Sequence, residues 1–317
     1  PAKSCNGPAP QATRPTKALL IGINYEGTRA QLRGCQNDAL DMLECLTRQY
    51  GFSPQNVRVM IDRQGGNYES PTRANIMQGL RWLVQGVQPG DCLFFHYSGH
   101  GAQQEDPSCS EEDCMDETIL PLDFQQAGEI VDDELFETMV RPLPSGAKLT
   151  AVMDCCHSGT GLDLPYTLQA SGGGGLFSSA RSTCHWTCDD NPCHSEGHVI
   201  NLSGCCDDQT SADIQSMYNK PRGAMTEAFI ETLKAQHYDC VSYAQLLSGI
   251  RQHLSRGGHS QYPMLTSSQM FDLNQNFDIA GGICPNMNPV VGRQFNKRKH
   301  PKRDWLGDGD PPGAMLF

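Results

Sequence analysis

The sequence predicts an α/β fold with a doubly wound, mostly parallel central sheet flanked by helices. Three observations predict it. Short unbroken apolar runs, each bounded by turn residues, have the length and composition of strands covered on both faces. Between them lie stretches whose apolar residues recur every three or four positions, the spacing of amphipathic helices. The two kinds alternate along most of the chain, as in parallel strands joined by crossover helices.

The elements follow in order. Residues 18–23 form the first apolar run and end in Gly22-Ile23-Asn24. Residues 38–50 carry Ala39, Leu43, Leu46 and Tyr50 at helical spacing, with Gly51 closing the helix. Residues 57–61 are a second strand. A helix is predicted to start at Ser70-Pro71, since proline suits a first helical turn. Its stripe is Ile76, Leu80, Leu83 and Val87, and Pro89-Gly90 ends it. Residues 92–97 and 149–154 are buried strands that run straight into Ser98-Gly99-His100-Gly101 and Cys155-Cys156-His157-Ser158-Gly159. Residues 199–203 and 262–266 complete the strands, and 224–235 and 243–254 read as helices. Residues 103–117 and 169–198 are predicted loops, the first acidic, the second Gly/Ser-rich and then Cys/His-rich. Residues 281–317 form a Pro/Gly-rich tail with a basic cluster at 297–303. No internal repeat is present.

Composition narrows the function. The chain has 317 residues, 38% of them hydrophobic, enough for a sizeable core. Its formal charge of -12 disfavours nucleic acid and anionic membrane and favours cationic substrates or bound cations. No apolar run is long enough for a membrane span. The N-terminus lacks initiating Met and the apolar core of a signal peptide, which suggests a processed or truncated form. The 15 cysteines are numerous for an intracellular chain. Without an export signal they read as buried thiols, one catalytic thiol and a possible metal cluster rather than a disulfide framework.

The two strand ends carry residues suited to acyl transfer. A thiolate is a strong nucleophile, and an imidazole can take its proton and later protonate the leaving amine. In a parallel sheet the ends of two strands lie side by side, so His100 and Cys156 can meet although far apart in sequence. Gly99 and Gly101 clear space for a peptide backbone. The amides of Gly101 and Cys156 are candidate donors to a tetrahedral oxyanion. A core histidine and core thiols are the bland alternative.

Residues 94–101, Phe-Phe-His-Tyr-Ser-Gly-His-Gly, and 154–159, Asp-Cys-Cys-His-Ser-Gly, resemble the two active-site motifs of metacaspases, in the caspase-like clan. Further matches are residues 21–25, 32–38 and 203–213, so the resemblance runs from about residue 17 to residue 277. The Gln-Ala-Cys signature of caspases proper is absent. The resemblance implies a caspase-like fold. It has a type I order: an N-terminal extension (1–16), a large region (17–168), the insertion (169–198), a small region (199–280) and the tail (281–317). A prodomain usual in that type would then be missing.

The resemblance makes Cys156 the nucleophile rather than Cys155, which strand alternation turns to the other face. It implies cleavage after Arg or Lys, with Asp38 and Asp154 as pocket floor and Cys35 and Ser98 as lining. A buried carboxylate pair suits a cation, although Asp38 also reads as a helix N-cap and Asp154 as a turn residue. It implies an activating calcium ion at Asp116, Asp132, Asp133 and Asp163, an oxygen-only set suited to Ca²⁺. It also implies autoprocessing, for which Arg181 and Arg222 in predicted loops are candidates. Protein or peptide substrates, a monomer and a cytoplasmic or nuclear location complete the expectation. Cys184, Cys188, Cys193 and His198, with His185 and His194, are spaced closely enough for zinc, though not as a standard finger. Disulfides or ordinary thiols remain open there. A non-catalytic peptide-binding scaffold and a metal-binding interaction module are the rival functions.

Overall fold

The computed structural model describes residues 16–63, 65, 68–105, 115–156, 161–171, 183–188, 195–205, 214–215, 220–236, 238, 241–259 and 261–281. In chain order the strands are β1 (Thr16–Gly22), β2 (Val57–Ile61), β3 (Cys92–Ser98), β4 (Gly101–Glu105), β5 (Met115–Ile119), β6 (Ile130–Val131), β7 (Lys148–Asp154), β8 (Tyr166–Ser171), β9 (Thr183–Cys188), β10 (His198–Cys205), β11 (Ile214–Gln215), β12 (Pro221–Arg222), β13 (Val241–Ser242), β14 (Tyr262–Ser267) and β15 (Asn276–Phe277). The helices are α1 (Cys35–Gln49), α2 (Arg73–Val84), α3 (Phe124–Ala127), α4 (Asp132–Leu135), α5 (Ala224–Ala235) and α6 (Tyr243–Arg256).

An eight-stranded sheet in the order β2-β1-β3-β7-β10-β14-β8-β9 forms the centre. Strands β2, β1, β3, β7 and β10 run parallel, and β14, β8 and β9 extend the sheet antiparallel. Strand alternation sends side chains into two cores. Leu19, Ile21, Phe95, Tyr97 and Met153 pack with Ile76, Leu80 and Leu83 of α2. Leu20, Phe94, Val152 and Leu202 pack on the opposite face with Leu46 of α1, Phe229 of α5 and Leu247 of α6. The fully buried patterns of β3 and β7 follow from helices covering both faces. This is the mostly parallel, helix-flanked sheet the sequence predicts.

Three expectations need correction. Helix α2 begins after Thr72, whose hydroxyl accepts from the Asn75 amide, so Pro71 precedes the cap, and Val87 lies beyond the helix though still in the core. Residues 103–117 are not simply a loop. β4 and β5 pair as a hairpin to which β6 adds, and its polar composition hid that pairing. The 169–198 stretch is not an insertion outside the fold either, because β8 and β9 form the edge of the main sheet. Their polar, Cys/His-bearing sequence lacks the continuous apolar run that marks a parallel strand covered on both faces.

Candidate active site

Strand pairing builds the site. Ser98 and Asp154 are the last paired residues of β3 and β7. His100 and Cys156 each lie two residues further on, so the sheet register itself sets the two side by side. The Gly99 amide donates to the Asp154 carbonyl (3.4 Å), carrying the pairing toward the turn. Gly101 packs directly on the Cys156 carbonyl, and a Cβ there would overlap it. The glycine is therefore needed for the close approach of the two ends. Cys156 is partly exposed, whereas Cys155 is buried (6%) with Met153 in the α2-side core, as strand alternation requires.

The imidazole of His100 is oriented from behind. Its Nε2 lies 2.7 Å from the Ala30 carbonyl. A carbonyl only accepts, so Nε2 carries the proton and Nδ1 keeps the lone pair a base needs. The ring lies against Tyr25 with centroids 4.8 Å apart. Two buried tyrosines hold its backbone. The Tyr25 hydroxyl accepts from the His100 amide (3.1 Å), and the Tyr97 hydroxyl donates to the His100 carbonyl (2.7 Å). The hydroxyls lie 3.2 Å apart, and Tyr25 also donates to the Leu120 carbonyl (2.6 Å). Tyr25 adopts φ +51°, a costly conformation for an aromatic residue, and these bonds hold it there. Burial pushes both phenols well above their ordinary range, so both stay neutral donors. Sequence reasoning missed this role for Tyr25 and Tyr97. Only their place beside the motif hinted at it.

Two buried carboxylates lie at the same strand ends. Asp38 is fully buried and accepts from the Ser98 hydroxyl (2.7 Å) and the Gly223 amide (3.0 and 2.9 Å). Asp154 accepts from the Thr226 amide (2.7 Å). A Cβ on Gly223 would lie 2.7 Å from the Asp38 carboxylate and closer still to that of Asp154, so the two flank this glycine. Helix α5 has no side-chain cap of its own. Its positive amide end is satisfied by carboxylates brought from α1 and β7. Burial first, then the neighbouring Asp154 charge, raises Asp38 well above the usual carboxylate range. Burial raises Asp154 as well, against the pull of the Thr226 and Met225 donors. Asp38 is not the N-cap of α1. Gly34 holds that position, and the Asp38 amide donates to its carbonyl. Asp154 is the end of β7 rather than a turn residue. Cys35 opens α1 and is buried in the core cluster that holds Tyr25 and Tyr97.

A second acidic group lies apart from this pair. Asp132, Asp133 and Asp163 bring one oxygen each within 4.8 Å of one another. The β5–β6 pairing makes this possible, and the Glu117 amide of β5 donates to Asp132 (3.0 Å). Asp163 adopts φ +49°. Asp116, buried on β5, stands outside this group, with its carboxylate 3.4 Å from the Gln104 amide nitrogen. An all-carboxylate set fits a hard divalent cation such as calcium.

The other sequence candidates diverge. Arg222 lies in β12, not in a loop. Its Nε is 2.7 Å from Asp41, and Glu227 lies 3.6 Å from its guanidinium. Arg181, Cys193 and His194 lie outside the described residues, as do the 297–303 cluster and the side chain of Cys184. His185 and Cys188 stand exposed on β9, three residues apart and so on opposite faces. His198 is buried against Phe271, with ring centroids 5.5 Å apart. Among the described residues these groups do not come together as a metal site.

Residues 16–165 match the family model described as Metacaspase, peptidase C14 domain. Metacaspase-1 of Schizosaccharomyces pombe is 41% identical over 294 residues, covering 81% of this chain and 68% of that protein. The chain belongs to the metacaspase family of cysteine endopeptidases. Metacaspase-1 of Cryptococcus neoformans is 42% identical over 299 residues, covering 83% of this chain and 65% of that protein. The chain thus spans about two thirds of the length of these metacaspases. A crystal structure of protein GSU0716 from Geobacter sulfurreducens shares the fold, with a TM-score of 0.58 at 22% identity, covering 85% of this chain and 99% of that one. The family model covers the elements that carry His100 and Cys156 and stops short of Gly223 and Thr226, which complete the acidic pocket. No helix among the described residues is long and apolar enough to cross a membrane.

Proposed function

We propose that this chain is a calcium-activated endopeptidase that cleaves proteins after arginine or lysine. The convergence of Asp38 and Asp154 on Gly223, beside the strand ends bearing His100 and Cys156, carries this reading. Two buried carboxylates are costly together, and a guanidinium or ammonium relieves that cost. Ser98 and Cys35 complete the pocket.

Nδ1 of His100 takes the Cys156 thiol proton as the sulfur attacks the scissile carbonyl. The tetrahedral oxyanion is held by the Gly101 and Cys156 amides. His100 then protonates the leaving amine, and a thioester remains on Cys156. Water, deprotonated by His100, releases the acid and restores the thiol. Asp132, Asp133 and Asp163 would hold calcium, with Asp116 in reserve on β5. The ion would supply charge to gather these carboxylates behind the catalytic strand ends. Autoprocessing at a basic site belongs to the same reading. Arg181 is the favoured position, because the Arg222–Gly223 bond is part of the pocket itself. The zinc reading of the Cys/His stretch has no support among the described residues. A monomer acting in the cytoplasm completes the proposal.

The test uses paired fluorogenic peptides ending in Arg or Asp, with calcium or with chelator, on wild type and Cys156→Ala. Calcium-dependent cleavage of the Arg peptide alone, lost in the variant, is expected. Cleavage of the Asp peptide, or equal turnover in chelator, would overturn the specificity or the calcium assignment respectively.

A further inference from the structure

Arg222 stands one residue before the glycine on which the two pocket carboxylates converge, yet its own charge is directed elsewhere. Its Nε lies 2.7 Å from Asp41 of α1, and its guanidinium lies 3.6 Å from Glu227 of α5. Among the described residues it makes no ion pair with Asp38 or Asp154. The three side chains are only 10 to 16% exposed, so solvent screens them less than it screens a surface pair. Neither Arg222 Nε nor Asp41 Oδ2 has a hydrogen-bond partner among the described residues, so charge rather than an aligned hydrogen bond joins them.

This bridge spans the two helices that build the pocket. Helix α1 carries Asp38 about one turn before Asp41. The start of α5 brings Gly223, whose amide donates to Asp38, and Thr226, whose amide donates to Asp154. The first turn of α1 holds the same segment twice more. Asn37 Nδ2 donates to the Pro221 carbonyl (2.9 Å). Gly34 packs so closely on the Arg222 backbone that a Cβ there would lie 2.7 Å from its carbonyl carbon. An internal cation that occupies Asp41 and Glu227 leaves Asp38 and Asp154 to a cation brought by substrate.

We propose that Arg222 is a positioning residue for specificity: by pairing with Asp41 and Glu227 it sets the start of α5 against α1, and with it the spacing of the two carboxylates that receive the substrate's Arg or Lys. This role rests on the reading of Asp38 and Asp154 as the cation pocket. It gives Arg222 a task in the folded pocket rather than as a cleavage site. Arg222 does not touch substrate. Its effect passes through Gly223 and α5 and falls on binding of the Arg side chain, not on the chemistry at Cys156.

The test compares the full chain with Arg222→Gln, Arg222→Lys, Asp41→Asn and Lys220→Gln on an Arg peptide in calcium, with thermal melts alongside. Binding of the same peptide is measured in the Cys156→Ala background, where no turnover intervenes. Arg222→Gln is expected to raise KM and the dissociation constant about fivefold, with kcat within about twofold. Because charge makes the contact, Arg222→Lys should bring both back to within about twofold of wild type. Asp41→Asn should raise KM likewise, and joining it to Arg222→Gln should add little, as partners in one pair do. Lys220 reaches the same Asp41 (3.0 Å) from a side chain 41% exposed, so Lys220→Gln should change KM less than about twofold. Wild-type KM in Arg222→Gln, a fall in kcat alone, no recovery in Arg222→Lys, or an equal rise in Lys220→Gln would overturn the proposal. Should Arg222→Gln fail to fold, wild-type KM in Asp41→Asn would overturn it. If Asp154→Asn binds the Arg peptide as wild type does, the pocket reading itself fails. If Asp154→Asn loses binding while Arg222→Gln does not, only the positioning role fails.

Discussion

The catalytic end and the specificity end of this site lie on the same two strands but are held by different parts of the chain. His100 and Cys156 are held by Tyr25, Ala30, Tyr97 and Gly101, all within the first half. Asp38 and Asp154 are held by Gly223 and Thr226 at the start of α5. Chemistry is thus built locally around the sheet, whereas the pocket is complete only once the second half has docked. The two ends should fail differently, one in turnover and the other in binding.

The largest break is at the nucleophile. Cys156→Ala should lower kcat about 10⁴-fold or more while the melting curve stays near wild type. At the other end, Asp38→Asn should lower kcat/KM on an Arg peptide about a hundredfold, mostly through KM, because it removes one of the two carboxylates a bound cation would face. An equal fall in kcat with unchanged KM would erase the distinction between the two ends.

The second acidic group sharpens the comparison. Asp133→Asn should weaken calcium binding about tenfold in a titration calorimeter, since ligand charge sets affinity in such sites. It should leave KM at saturating calcium unchanged. An unaltered calcium isotherm would remove the ion from this group. A smaller effect is expected from Tyr97→Phe. Loss of its bond to the His100 carbonyl should lower kcat about threefold to tenfold and leave KM alone.

The smallest effect is a linkage. Asp38 titrates higher folded than unfolded, because burial and then Asp154 disfavour its charge. A group of this kind contributes stability fully below its unfolded value, and that contribution is lost as pH rises through the folded one. Melts between about pH 4 and 8 should therefore show the wild-type midpoint falling more steeply than that of Asp38→Asn. Parallel curves would contradict the shift.

Much of the fold and the catalytic pair is legible in the order of residues. The apolar runs of β1, β2, β3 and β7 and the stripes of α1, α5 and α6 are local patterns set by burial on a face. His100 and Cys156 are legible because each follows such a run. Strands β8 and β9 at the antiparallel end of the sheet are not, since their polar, Cys/His-bearing sequence leaves little periodic signal. Arg222 falls outside sequence reasoning for a related reason. Its two-residue strand is set by pairing with β11 and by ion pairs to Asp41 and Glu227, partners that no local pattern around Arg222 announces.

The sequence alone therefore determined the sheet class, the two strand ends and the residues suited to nucleophile and base. It did so because alternation and helical spacing record which face of an element is buried. It does not record which other element covers that face. Sheet order decided that α5 sits over β3 and β7, and so brought Gly223 and Thr226 to Asp38 and Asp154. That meeting depends on contacts between residues far apart in the chain, and only the tertiary structure holds them.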